Sequence, residues 1–275
     1  MRTSSHTLDR MQVVFDDQNA VANGGLCLPM TLAEHLGLGD LIQAKVDLGD
    51  APGHANVGLK AMGLIASALA GGDSIDDADV LRSGRSEAAI GQWMPAPSTL
   101  GTFLRSFSWG DVRSLDSVAA EALKRAWSAG AGPGDGPLTI DVDSTICQVY
   151  GTNKQGAAYG YTKVKGYHPL LASLAGTGEV LSVRARGGNA NTARGAKSFL
   201  TETFNKVRAA GATGPITLRA DSGFYSKAVV DACRKAGARF SITVKMSQSL
   251  RRGIDAIPEE DWRPIPYWLT GPPSP

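Results

Sequence analysis

The chain has 275 residues, of which 43% are apolar and 20% are charged, and its formal net charge is +2. This composition is that of a globular protein and excludes a disordered or a fibrous chain. The charge is unevenly divided, because residues 1–135 carry 10 Lys and Arg against 16 Asp and Glu, whereas residues 136–275 carry 18 against 10.

The cysteines and the apolar stretches bear on the cellular compartment. Cys27, Cys147 and Cys233 are far apart and odd in number, which argues against a zinc site or a disulfide framework and favours a reducing compartment. The longest apolar stretch, residues 62–70, is shorter than the roughly 20 residues that span a bilayer. We therefore expect a cytoplasmic protein without a membrane partner.

The first half of the chain has the apolar spacing of helices. That spacing predicts helices over residues 57–69, 97–107 and 111–127. The Gly- and Pro-rich stretch 129–137 predicts a domain boundary. We therefore predict an all-helical N-terminal domain over residues 1–135.

Beyond residue 136 the pattern changes to strands and helices in alternation. The predicted strands cover residues 138–145, 161–165, 180–186, 216–220 and 240–244, and the predicted helices cover residues 192–209 and 227–236. The resulting order, β-β-β-α-β-α-β, predicts an α/β fold, more closely an α+β mixed sheet with helices on its faces.

The first predicted strand carries two acidic residues on one face. Leu138, Ile140 and Val142 alternate along it and predict a buried face. Asp141 and Asp143 share the opposite face, about 7 Å apart by strand rise. Two neighbouring acids on a central strand favour a bound cation between them.

A further acid, Asp221, lies just past the fourth predicted strand, at the carboxyl end where sheets of this type place ligands. The alternative is a helix cap, because Ser222 and Gly223 form a tight turn before the next helix. If the fourth strand lies beside the first, Asp143 and Asp221 can share a divalent cation. Oxygen ligands without His or Cys favour Mg²⁺ or Mn²⁺.

The order of elements and two motifs resemble one known family. The sequences Asp-Ser-Thr at 143–145 and Arg-Ala-Asp-Ser-Gly-Phe at 219–224 are similar to those in the ribonuclease-H-like core of bacterial insertion-sequence transposases of the DDE type. Four further stretches are similar to one subgroup of that family, namely residues 71–79, 166–170, 186–191 and 257–268. The resemblance extends over nearly the whole chain, to Trp268.

The resemblance implies a mechanism and its partners. In this family two Asp and one Glu hold two metal ions, which activate a water or a 3′-hydroxyl and stabilise the leaving oxygen. Asp143 and Asp221 are then the catalytic, metal-binding pair, with Asp141 as the alternative to Asp143. The implied activity is cleavage and strand transfer of double-stranded DNA, at the terminal inverted repeats of the element and in the target. The implied cofactor is Mg²⁺ or Mn²⁺, and the implied assembly is a homodimer on DNA, in which the helical domain binds DNA ends or dimerises.

The third acidic ligand of the family lies on a helix well after the fifth strand. Glu259 and Glu260 follow Pro258 in a Pro-rich segment, so we expect both to be surface charges. We therefore expect a truncated transposase, with an incomplete core over residues 136–250 and an inserted region with an aberrant tail over residues 251–275. Two alternatives stay open: a non-catalytic DNA-binding fragment that inhibits or regulates an intact transposase, and a small metal-dependent nuclease of the same fold.

Five basic residues are candidate contacts to DNA phosphates. Lys163 and Lys165 are placed on one face of the second predicted strand, Arg184 and Arg186 on one face of the third, and Lys245 after the fifth. The alternative for each is a solvated sheet edge. A turn is the favoured role for His168, because it precedes a proline and has no second His or Cys near it.

Overall fold

The computed structural model describes residues 14, 16–151 and 153–264, and the chain divides into two compact units. The first unit comprises Met1–Gly136 with Asn205–Gly214, and the second comprises Pro137–Phe204 with Pro215–Pro275. The end of the predicted tail, residues 265–275, lies outside the described residues. Within the part of the chain that is described, no helix is both long enough and apolar enough to cross a lipid bilayer.

The described part of the first unit is built from helices. They are α1 (Cys27–His35), α2 (Leu38–Lys45), α3 (Val57–Leu69), α4 (Ala78–Arg82), α5 (Ser86–Ile90), α6 (Pro97–Arg105) and α7 (Trp109–Ala126). α7 begins with a capping box, in which the Asp111 carboxylate accepts hydrogen bonds of 2.7 Å from both the hydroxyl and the N–H of Ser108. These bonds, the hydroxyl's first, hold the pKa of Asp111 below its usual value.

Apolar side chains from several of these helices form the core of the first unit. Ile42, Leu81, Leu100 and Phe103 are all buried in one cluster. Leu100 and Phe103 lie three residues apart in α6, the spacing by which the sequence pattern predicts a helix there. The predicted helices over residues 57–69, 97–107 and 111–127 correspond to α3, α6 and α7.

The second unit contains a five-stranded mixed sheet and a smaller three-stranded one. The strands are β1 (Leu138–Ser144), β2 (Cys147–Gln148), β3 (Ala158–Tyr159), β4 (Lys165–Tyr167), β5 (Leu170–Leu174), β6 (Val180–Arg184), β7 (Ile216–Ala220) and β8 (Arg239–Ile242), and the helices are α8 (Ala196–Ala209), α9 (Lys227–Lys235) and α10 (Gln248–Asp255). The large sheet has the order β6-β5-β1-β7-β8 and the small one the order β2-β4-β3.

β1 lies at the centre of the large sheet. It pairs with β5 in antiparallel and with β7 in parallel orientation, while β6 is antiparallel to β5 and β8 is parallel to β7. Ile140 on β1 and Leu218 on β7 are fully buried partners in this pairing. Three antiparallel strands followed by two helix-linked parallel strands form a ribonuclease-H-like core, so the predicted fold class is confirmed.

The second strand of the large sheet is not the predicted one. Residues 161–163 form a turn in which Lys163 has a φ of +59° and its N–H donates to the Gly160 carbonyl. The strand that pairs with β1 is β5, directly after Pro169, where Leu170 and Ala172 are buried. The predicted shared strand face for Lys163 and Lys165 is therefore wrong, because only Lys165 belongs to a strand.

Two other predicted boundaries differ from those in the structure. The third predicted strand ends two residues early, at Arg184. The predicted helix over residues 192–209 begins instead at Ala196. Before that residue the side chain of Asn191 accepts a hydrogen bond of 2.8 Å from the Arg194 N–H, which closes a turn.

Candidate active site

The parallel pairing of β1 with β7 sets the register of the candidate site. Asp141 lies opposite Arg219, and Val142 lies opposite Ala220. Asp143 and Asp221 are the next residues along the chain from this last pair, each one position beyond the paired register. The site hypothesis requires this adjacency of the first and fourth predicted strands.

Asp141 and Arg219 share one face of the sheet. Arg219 makes a two-pronged ion pair with Asp141, with Nε–Oδ1 and Nη2–Oδ2 distances of 2.6 Å each. Because side chains alternate along a strand, Asp143 lies on the same face as that ion pair. Asp221 follows β7 with extended backbone angles of φ −77° and ψ 177°, and the same alternation continued one residue past β7 predicts this face for Asp221.

Asp141 is engaged by Arg219 rather than open to a cation. The hydrogen bonds that Arg219 donates to Asp141, and next the negative charge of Asp141, raise the pKa of the Arg219 guanidinium above its usual value. A carboxylate whose two oxygens both accept from one guanidinium is already charge-compensated. This arrangement favours Asp143 over Asp141 as the first ligand.

Asp143 and Asp221 are both exposed, and each is anchored through one oxygen only. Oδ1 of Asp143 accepts a hydrogen bond of 2.7 Å from the Ser144 N–H, and Oδ1 of Asp221 accepts one of 3.0 Å from the Gly223 N–H. Asp221 therefore caps the short 3₁₀ turn Ser222–Phe224, which is the alternative role that the sequence left open. The Oδ2 atom of each carboxylate accepts no hydrogen bond from any residue that the structure describes.

Carboxylates that each keep one open oxygen suit a hard divalent cation such as Mg²⁺ or Mn²⁺. Among residues 14, 16–151 and 153–264, no group of three or more His, Cys, Asp or Glu is arranged to hold a metal ion. Glu259 and Glu260 lie in an exposed 3₁₀ turn, Glu259–Asp261.

A comparison of the chain with known families decides its membership. A sequence model described as transposase DDE domain group 1 matches residues 4–266. The chain belongs to this transposase family. No curated protein matches the chain. Membership identifies a transposase of a mobile element, in an enzyme class that carries out nucleotidyl transfer on DNA.

The predicted phosphate contacts of the transposase have different surroundings. Lys163 is exposed in its turn, and Lys245 is exposed three residues after β8. Lys165 donates a hydrogen bond of 3.1 Å from Nζ to the Gly151 carbonyl. Arg184 forms an ion pair of 2.5 Å with Glu202 and lies 5.4 Å from the Phe199 ring, measured from Cζ to the centroid.

Arg186 is engaged mainly with backbone carbonyl groups. Its Nε donates to the His168 carbonyl at 2.7 Å, and its Nη1 donates to the carbonyls of Asn191, Thr192 and Arg194 at 2.9, 3.2 and 2.8 Å. These contacts hold the segment between β6 and α8 in place. The structure thus gives Arg186 an internal role, and phosphate binding by this residue stays a prediction.

Arg194 is a basic residue that the sequence analysis missed. It lines a cavity of about 530 Å³ together with Arg184, Arg186, Asn189 and several Gly and Ala residues. Its guanidinium is exposed and contacts no acidic side chain among the residues described. Burial, followed by the positive charges of Arg194 and Arg184, lowers the pKa of Arg186. The cavity is therefore electropositive and favours an anion.

His168 lies inside the unit rather than in an exposed turn. Its side chain is buried, with only 2% of the residue exposed. Nδ1 lies 2.7 Å from the Ala190 carbonyl oxygen, and Nε2 lies 3.0 Å from Oγ of Ser144. The sequence signal available for this role is the placement of His168 directly before β5, the strand that pairs with β1.

Proposed function

We propose that this transposase cleaves DNA at the ends of an insertion sequence and joins them to target DNA, using Asp143 and Asp221 to hold Mg²⁺ or Mn²⁺. The observation that supports this most strongly is the pair of exposed carboxylates that come directly after the last residues pairing β1 with β7. Each has one oxygen anchored by a backbone N–H and the other open. The neighbouring ion pair of Asp141 with Arg219 leaves no competing acid at the same strand ends.

The bound cation supplies charge stabilisation for the attacking and leaving oxygens of an in-line phosphoryl transfer. The protein's own contribution is to fix the two carboxylates in advance, so that little reorganisation is needed when DNA arrives. The Ser144 and Gly223 N–H groups orient the two Oδ1 atoms, which leaves the Oδ2 atom of each carboxylate open to a cation. A water or a 3′-hydroxyl then forms a bond to phosphorus while the bond to the leaving 3′-oxygen breaks.

The third acidic ligand of the proposed reaction stays a prediction. A two-cation mechanism needs another carboxylate beside Asp143 and Asp221. Glu259→Gln and Glu260→Gln variants test two acidic residues near the end of the described chain. If neither substitution changes cleavage, the residue that completes the site lies elsewhere.

The test of the metal site is a Mn²⁺ titration of the purified 275-residue chain, followed by electron paramagnetic resonance. We expect binding in the unaltered chain and in Asp141→Asn, and loss of binding in Asp143→Asn and Asp221→Asn. Asp141→Asn is the matched control, because it removes an equal charge two residues away on the same face. Absence of binding in the unaltered chain, or equal loss in all three variants, would exclude the proposed site.

We further propose that the DNA contact includes the electropositive cavity around Arg194, with Lys163, Lys165 and Lys245 as additional phosphate contacts. The expected assembly is a homodimer on double-stranded DNA in the cytoplasm. The alternative is a non-catalytic DNA-binding protein that regulates an intact transposase. DNA binding without any Mn²⁺-dependent cleavage favours that alternative, whereas cleavage that depends on Asp143 excludes it.

A further inference from the structure

Residues 187–195, in the connection between β6 and α8, contact the residues that orient both candidate metal ligands, Asp143 and Asp221. We refer to this segment as the bracing loop. One contact runs through His168. The Ala190 carbonyl can only accept a hydrogen bond, so Nδ1 of His168 carries the proton and Nε2 accepts from the Ser144 hydroxyl.

Ser144 joins this contact to the first carboxylate. Its side chain is held by His168 at 3.0 Å, and its N–H donates to Oδ1 of Asp143 at 2.7 Å. A displacement of the bracing loop at Ala190 therefore moves Ser144, and with it the amide that orients Asp143.

The second contact reaches the other carboxylate through Thr192. A methyl group placed on Gly223 would lie 2.9 Å from Thr192 Cγ2 and 3.1 Å from Oδ1 of Asp221, so the three groups are in close contact. Gly223 also donates its N–H to that same Oδ1 atom. Glycine is required at this position because any side chain would push apart Thr192 and the turn that holds Asp221.

Arg186 is the residue that fixes the bracing loop. Three of its hydrogen bonds go to carbonyls within the loop, and the fourth goes to the carbonyl of His168. The His168 N–H in turn donates to the Arg186 carbonyl at 3.1 Å. The Arg186 guanidinium thus holds the backbone of His168, which leads through Ser144 to Asp143. It also holds the backbone of Thr192, which lies beside the turn of Asp221.

We infer that Arg186, His168 and Ser144 are positioning residues that hold Asp143 and Asp221 in a common geometry through the bracing loop. The inference rests on the proposed metal site, since the geometry matters for function only if the two carboxylates share a cation. Residues that orient metal ligands at one remove commonly change metal affinity 10- to 100-fold when substituted.

The first test compares two serine-to-alanine substitutions by Mn²⁺ titration. Ser144→Ala removes the hydroxyl that His168 accepts from, and we expect the affinity for Mn²⁺ to fall by about 10-fold. Ser182→Ala is the matched control, because it removes a buried hydroxyl of the same sheet that has no hydrogen-bond partner. We expect Ser182→Ala to leave the Mn²⁺ affinity unchanged. Equal affinities in the two variants, with only the melting temperature of Ser144→Ala lowered, would overturn the inference.

The second test needs no metal, so its outcome is independent of the proposed function. Arg186→Lys keeps the charge but cannot reproduce four directed hydrogen bonds. We expect faster hydrogen exchange in two peptides at once, residues 141–146 and 220–225, with no change in α9. Faster exchange in one peptide only, in neither, or throughout the unit would contradict the coupling. If exchange becomes faster in both peptides while the unaltered chain binds no Mn²⁺, that outcome would contradict the proposed metal site but support the coupling through the bracing loop.

Discussion

Two aspartates on β1 occupy the same face of the same strand, two residues apart, yet their surroundings differ completely. Asp141 lies opposite Arg219 and is neutralised by an ion pair through both of its oxygens. Asp143 and Asp221 each keep one open oxygen. The arginine opposite Asp141 on the neighbouring strand makes that aspartate part of a structural ion pair, whereas Asp143 has no basic partner among the described residues.

The largest effect is expected from a substitution that makes the surroundings of Asp143 resemble those of Asp141. Asp221→Arg places a guanidinium beside Asp143, as Arg219 lies beside Asp141. We expect Mn²⁺ affinity and DNA cleavage to fall at least about 100-fold, because one ligand is lost and the other is neutralised. Circular dichroism and the melting temperature should show that the chain stays folded. Mn²⁺ binding at the level of the unaltered chain would show that Asp221 is not a ligand.

A second substitution tests the close contact between Gly223 and Thr192 in the turn that follows Asp221. Gly223→Ala places a methyl group 2.9 Å from Thr192 Cγ2. We expect the free energy of unfolding to fall by about 1–3 kcal/mol, the usual cost of an overpacked position. Chemical denaturation measures this change. Gly176→Ala is the control, because a methyl group there meets no atom within 4 Å. Equal stabilities of the two variants would contradict the contact.

A third prediction extends the comparison from carboxylates to arginines. Arg219 is paired with Asp141, whereas Arg194 is exposed without an acidic partner among the described residues. If Arg194 contacts a phosphate, Arg194→Gln should weaken DNA binding for all sequences alike and lower the salt-dependence slope by about 1. Fluorescence anisotropy at several salt concentrations measures the slope. Lys235→Gln, at an exposed lysine of α9, serves as the charge-matched control and should leave the slope nearly unchanged.

The smallest effect is expected for substitutions in the ion pair between Asp141 and Arg219. Arg219→Gln and Asp141→Asn should each shift the midpoint of urea unfolding only slightly, because the two side chains are 60% and 33% exposed and their pairing is screened by solvent. Neither should reduce Mn²⁺ affinity by more than about twofold. A large loss of Mn²⁺ binding in Arg219→Gln would show that the arginine is part of the metal site.

The sequence predicts the large features of the second unit because they depend on short, strongly patterned segments. Alternation of Leu138, Ile140 and Val142 identifies β1, and the bounds of β7 agree with the prediction at both ends. The sheet also places β7 beside β1, the arrangement on which the site hypothesis depends. What these segments cannot reveal is which residues lie opposite each other, and therefore that Asp141 meets Arg219.

The misplaced second strand shows the limit of local patterns. Residues 161–165 contain β-formers, but residues 161–163 form a turn in which Lys163 adopts a positive φ, and Lys165 begins β4 of the small sheet. β5 follows Pro169, and its buried residues gain their place only by pairing with β1. The role of His168 was missed for the same reason, because its partner Ser144 lies 24 residues away in the chain. The role of Arg186 was missed because it depends on a turn that brings several carbonyl groups to one guanidinium.

The parallel pairing of β1 with β7 also has a consequence for how the protein folds. β1, β5 and β6 follow one another closely along the chain, so their antiparallel pairing closes short loops. Asp141 and Arg219 are 78 residues apart, and so are Asp143 and Asp221. Contacts of such long range form slowly and late as a rule. In the proposed site, Asp143 and Asp221 therefore come together only after β7 has docked beside β1.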